Sequence, residues 1–221
     1  GNKIELENTS VKGFAYGGYS VNASASENTV TLLGSNSITN DIYGGFAANG
    51  TASKNKVSVK NETAVRNIYG GYANTSGDAV KNIVNFTSTA VNGSGSVYGG
   101  YAVSGSASEN KVWLNKTAMI GNVFGGYATS GAVKGNAVAL SRVANQTDKN
   151  IIYGGFANTS GNVSDNNVTF NESSKLVSVV GGWSNVTGDV ANNLVNGSNS
   201  NLTGDALGGY AKNGTAENNS V

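Results

Sequence analysis

One five-residue segment, Ile42-Tyr43-Gly44-Gly45-Phe46, constrains the chain more than any other feature, because it keeps returning. Its first glycine recurs as Gly17, Gly44, Gly70, Gly99, Gly125, Gly154, Gly181 and Gly208, at intervals of 26 to 29 residues. A repeat of that length means one structural unit stacked on itself. A unit this short cannot bury a core alone, since ordering its backbone costs roughly 1–2 kcal/mol per residue. Each unit must therefore be covered by its neighbours, and residues 1–221 read as a single repeat array of about eight units.

Each unit divides into strand-like pieces. Asn28-Thr29-Val30-Thr31-Leu32 alternates polar and apolar, as a half-buried strand does, and has copies opening at Asn55, Asn82, Asn110, Asn136, Asn166 and Asn193. In the last of these copies Gly197 replaces the second apolar residue. A polar turn follows, then a lone apolar position (Ile38, Val65, Val91, Met119, Val143, Leu176, Leu202), read as a short second strand. The Tyr-Gly-Gly segment is the third strand. The stretch after it, such as Ala73-Asn74-Thr75-Ser76-Gly77, reads as a loop. Extra length in the 29-residue intervals falls in Asn92 to Ser96 and Asn145 to Asn150, between second and third strands. The expected fold is all-β: a right-handed parallel β-helix with three short strands per coil of about 27 residues. Eight coils at strand spacing make a rod of about 38 Å. Helix is disfavoured, because a glycine pair interrupts every unit and no 3.6-residue apolar period appears.

Three columns follow from this register. The asparagines Asn28, Asn55, Asn82, Asn110, Asn136, Asn166 and Asn193 predict an amide ladder at a corner, where Asn also tolerates the left-handed conformation. One aromatic column is Tyr16, Tyr43, Tyr69, Tyr98, Phe124 and Tyr153. The other is Tyr19, Phe46, Tyr72, Tyr101, Tyr127, Phe156, Trp183 and Tyr210. Together they hold 14 of the 18 aromatic residues, and rings stacked at strand spacing attract one another. An aromatic repeated in every unit is expected to be scaffold, with the glycine pair bending the strand or letting backbone pass close under the rings.

Chemistry is sparse. With no His and no Cys, imidazole and thiolate catalysis and their metal sites are absent. The 13 carboxylates are scattered. Those sharing a phase, Glu27 with Glu109 and Asp78 with Asp189, lie three or four coils apart, which is about 14–20 Å and too far for paired acid–base work. No calcium-binding glycine–aspartate repeat and no phosphate loop occurs. The expectation is a non-enzyme with no cofactor and no metal. A net charge of +1 with 12% charged residues offers no field to attract nucleic acid. No apolar stretch approaches the length of a membrane-spanning helix, so no direct membrane insertion is expected. Trp113 alone breaks its column. It alternates with inward Val112 and Leu114, so it points outward among Glu5, Thr31, Ser58, Asn85, Ala139, Thr169 and Asn196. It is the candidate contact for a glycan or protein. The chain starts and stops at the same phase of the unit without a recognisable cap, which predicts end-to-end self-association.

The Tyr-Gly-Gly-Tyr/Phe-Ala unit joined to Asn-x-Val-x-Leu resembles repeats in the passenger regions of large Gram-negative, fusobacterial-type autotransporter adhesins, and does so along the whole chain. The resemblance implies a β-helical passenger displayed outside the outer membrane. It would be anchored through a parent region not present here, and it would bind protein or glycan partners on host or neighbouring cells.

Overall fold

A computed structural model describes residues 1–61, 63, 64, 66–87, 95–119, 121–145 and 150–221. The described residues are all β and contain no helix. Parallel strands stack into a β-solenoid of about seven turns, repeating every 27 residues or so. The first of three eight-stranded sheets comprises Lys3–Glu7, Thr29–Leu33, Lys56–Lys60, Ile83–Thr87, Lys111–Asn115, Ala137–Ser141, Asn167–Asn171 and Leu194–Ser198. We call it the valine sheet, and one strand from each sheet a rung. The glycine sheet contains the Tyr-Gly-Gly strands, from Ala15–Ser20 to Ala206–Ala211.

The third continuous sheet is not where the sequence pattern put it. It is built from two-residue strands, Ala25–Ser26, Ala52–Ser53, Ala79–Val80 and their counterparts, inside the stretch read as a loop. Among the described residues the lone apolar position pairs in short runs: a three-stranded sheet that includes Asn36–Ile38, a two-stranded one, and isolated bridges such as Leu176 to Leu202. The short dipeptides are held between two long strands whose register is regular, and that regularity carries through to them. Val65, Val91, residues 92–94 and residues 146–149 lie outside the described residues, as does the side chain of Met119.

The interior has two apolar compartments. Val30, Leu32, Val57, Val59, Val84 and Phe86 of the valine sheet meet Ile42 and Ile68, which open the glycine strands, in one aliphatic core; Ile38, Val143 and Leu176 close its third side. Beyond the glycine pair the section narrows, and small residues fill it: Ala25, Ala47 and Ala52, then Ala73, Ala79 and Ala102. Where Gly197 lacks a side chain, the ring of Phe170 covers the gap; a Cβ there would lie 2.1 Å from that ring.

Between the compartments run the asparagines. Asn110 is fully buried. Its Nδ2 donates to Asn136 Oδ1 at 2.9 Å and to the Ala79 carbonyl at 2.8 Å. Its Oδ1 accepts from the backbone N–H and the Nδ2 of Asn82, at 3.0 and 2.9 Å. The pattern repeats from Asn28 through Asn193 and takes in Asn219, while the backbone N–H of Asn2 caps Asn28. A buried polar side chain is costly unless all its valences are met, and here each rung meets those of the next.

Two details differ from expectation. The ladder does stand at a corner, as Asn82 does between Ala79–Val80 and Ile83–Thr87, with its side chains turned inward, but the left-handed residue is the one before the asparagine: Glu27 (φ 59°), Lys54 (φ 54°), Lys81 (φ 57°), Glu109 (φ 56°), Asp165 (φ 57°), Asn192 (φ 57°). The glycine pair makes room inside the coil rather than under the rings. A Cβ on Gly71 would lie 2.4 Å from Asn82 side-chain atoms, and one on Gly70 would lie 2.4 Å from the carbonyl oxygen of Gly99. Neither glycine is among the residues with positive φ, so space and not backbone freedom demands them.

Candidate functional site

With isoleucine turned inward at the start of each glycine strand and alanine turned inward at its end, the two aromatics of the strand point away from the core. Both columns therefore stand on the outer surface of the glycine sheet, in a cluster separate from the aliphatic core.

The rings form a double ridge. In the column nearer the strand start, Tyr16, Tyr43, Tyr69, Tyr98, Phe124 and Tyr153 stack with centroids 4.8–5.1 Å apart and planes within 7°. Val180 and Leu207 then end it. In the other column Tyr19, Phe46, Tyr72, Tyr101, Tyr127 and Phe156 stack at 4.5–5.3 Å, and Trp183 stacks on Tyr210 at 3.9 Å. The columns meet edge to face, as Tyr69 and Tyr72 do at 5.0 Å and 90°. Parallel strands hold like residues one spacing apart, and offset and edge contacts are the arrangements that ring quadrupoles favour.

The two columns differ in exposure. Tyr43, Tyr69, Phe124 and Tyr153 are buried, while Phe46, Tyr72, Tyr101, Tyr127, Phe156 and Trp183 are half-exposed and Tyr19 and Tyr210 exposed. Burial is the leading cause that pushes the phenols of Tyr16, Tyr43, Tyr69, Tyr98, Tyr127 and Tyr153 above their ordinary value. Tyr72 is pushed up to about 12, again by burial first and then by the neighbouring Tyr101. Tyr43 hydroxyl reaches Asp41 Oδ2 at 3.3 Å, and the hydroxyls of Tyr101 and Thr129 lie 3.3 Å apart. Trp183 Nε1 is buried without an acceptor, and beside it Ser184, which replaces the alanine of the preceding rung, has a buried Oγ without a partner.

Trp113 stands on a different face. It lies between Asn85 and Ala139 on the outside of the valine sheet, 42% exposed, with Lys111 Nζ 6.0 Å from its ring centroid. The structure thus does not bring Trp113 together with the aromatic columns.

The chain has no match among family models, curated proteins or solved structures. Its chemistry is therefore read from the side chains alone. Glu27 pairs with Lys54 at 3.2 Å and Glu109 with Lys81 at 3.5 Å, both at the exposed corner before the asparagine ladder. Asp78 accepts the Ser106 N–H. Asp189 accepts the backbone N–H and hydroxyl of Thr215, which hold its carboxyl below the usual range. Among the described residues no three acidic groups converge in a way that would hold a metal ion.

Some structural residues escaped the sequence reading. Asn2 and Asn219 extend the ladder and were legible by phase. A second polar column precedes most glycine strands. Asp41 Oδ1 accepts from the backbone and Nδ2 of Asn67, Asn67 Oδ1 accepts the Ser96 N–H, and Asn122 Oδ1 accepts the Ile151 N–H. Its signal was a polar residue immediately before the Ile or Val of five segments: Asp41, Asn67, Ser96, Asn122 and Ser178.

Proposed function

We propose that this chain is a stretch of an extended rod displayed on a bacterial surface, serving as stalk and as adhesive face toward host or neighbouring cells. One observation carries the reading: the residues repeated in every unit are spent on bonds from rung to rung. The asparagine ladder and the stacked rings bind each coil to the next and leave the outward row of the valine sheet free to vary. That is the economy of a spacer, whose sides hold ligands while its columns hold length. Cleavage of a carbohydrate is the weaker reading, because Glu27 and Glu109 each face a lysine and share no cleft. The same reading assigns the chain no catalytic step and no cofactor.

The test has two readouts. Antibody raised against this chain should label intact cells of the producing organism, and beads coated with the chain should be retained on host or partner cells. Labelling only after lysis rejects the surface reading; unretained beads reject the adhesive one.

A further inference from the structure

We infer that the outer face of the valine sheet, over the strands Lys56–Lys60, Ile83–Thr87 and Lys111–Asn115, is a binding site for an acidic glycan. A shallow groove of about 310 Å³ crosses this face, lined by Thr31, Lys56, Ser58, Lys60, Asn85 and Thr87. Asn85, which lines the groove, is the register neighbour of Trp113, so the exposed indole stands one strand beyond the groove. Lys56 and Lys111 occupy one row two strands apart, roughly 10 Å, and Lys60 is four residues along the strand from Lys56, roughly 13 Å. Lys56, Lys60 and Lys111 enter no ion pair among the described residues, in contrast to Lys54 and Lys81 at the corner. No carboxylate is present on the three strands.

These parts match one chemistry. An indole face takes the C–H face of a sugar ring. Serine, threonine and asparagine on the sheet match ring hydroxyls, and the unpaired Lys56 and Lys60 ammoniums, with the Lys111 ammonium beside the indole, match carboxylate or sulfate groups spaced along a chain of sugars. Single-stranded nucleic acid fits less well, because its bases need successive aromatic platforms and this face offers one. The sheet is stiff and prepaid in entropy, so the site needs no rearrangement to bind. The biological setting of this site rests on the adhesive reading above, but its binding does not. Failed cell labelling with retained glycan binding would reject only the surface reading, and the reverse result only this inference.

Calorimetric titration of the whole chain tests it with four hexamers: a heparin-derived sulfated one, a carboxylate-only oligogalacturonate, neutral maltohexaose, and a thymidine oligonucleotide. At least one acidic hexamer should bind, more weakly as salt rises, and at least about tenfold more tightly than maltohexaose or the oligonucleotide. Binding of the sulfated probe alone identifies sulfate as the recognised group, and binding of oligogalacturonate identifies carboxylate. Trp113→Thr, which installs the residue found in this row at Thr31 and Thr169, should weaken binding at least about tenfold with an unchanged melting curve, and so should Lys56→Gln with Lys111→Gln. The inference is overturned if neither acidic hexamer binds at millimolar concentration, or if maltohexaose or the oligonucleotide binds as tightly. It is also overturned if the folded Trp113→Thr chain binds as before.

Discussion

Truncating one rung of the amide ladder should damage the rod more than any surface change of equal size. Asn110→Ala removes four hydrogen bonds of 2.8–3.0 Å from a fully buried site. At about 0.5–1.5 kcal/mol net for each, the loss is about 2–6 kcal/mol. Counting orphaned groups gives the same range. The backbone N–H of Asn82 and the carbonyl of Ala79 lose this partner in the interior, at about 1–3 kcal/mol each. Asn82 Nδ2 keeps its bond to the Ala52 carbonyl, and Asn136 Oδ1 keeps the backbone N–H of Asn110, so the damage stays between two rungs. Asn110→Asp is the sharper variant. It has nearly the same shape, but it sets acceptor against acceptor at Asn136 Oδ1 and Ala79 and buries a charge, so it should cost more than alanine. Because a stacked array opens locally, the assay is hydrogen exchange at the Asn82 amide beside a urea melt, with Thr169→Ala on the outer face as control. Unchanged protection of that amide, with a midpoint equal to the control's, would refute the argument that the ladder holds the coils together.

Gly100→Ala would put a Cβ 2.4 Å from Asn110 side-chain atoms, so a loss of about 2–4 kcal/mol is expected in denaturation; Gly13→Ala, with nothing within 4 Å, should stay within about 0.5 kcal/mol. Tyr101→Ala removes stacks of 4.8 and 4.5 Å and should cost about 2–3 kcal/mol, whereas Tyr101→Phe keeps the stacks and should cost under about 1 kcal/mol in the same melt. The buried phenols hold their protons more tightly folded than unfolded, so stability is intact below pH 10.0, the ordinary tyrosine value, and falls as pH climbs toward about 12, where Tyr72 titrates. Tyrosinate absorbance and circular dichroism should therefore change together, and phenols that all ionise near the ordinary value without loss of structure would contradict this. Melting with and without a chelator should agree; a drop of several degrees would reveal a bound metal.

Much of the architecture was legible because a parallel stack makes equivalent residues neighbours in space. The period of the glycine pairs set the coil length, the alternation in Asn-x-Val-x-Leu set which side chains face in, and register alone placed Trp113 in an outward row with Thr31 and Asn85. What pairs across rungs follows from sequence phase whenever the strand is long enough to impose it. Three things needed the folded coil. The two-residue strands such as Ala52–Ser53 have too few positions to show a period, and they pair only because the long strands on either side hold them in line. The glycine pair and the asparagine are far apart within a unit, and only closing the coil shows that one is small so that the other fits. The aromatics were assigned to scaffold packing by repetition, yet repetition does not say which side of a sheet a residue takes. The doubled glycine places Ile68 and Ala73 inside at either end of one strand, and that geometry puts Tyr69 and Tyr72 on the other side of the sheet, Tyr69 buried among its neighbours and Tyr72 half-exposed.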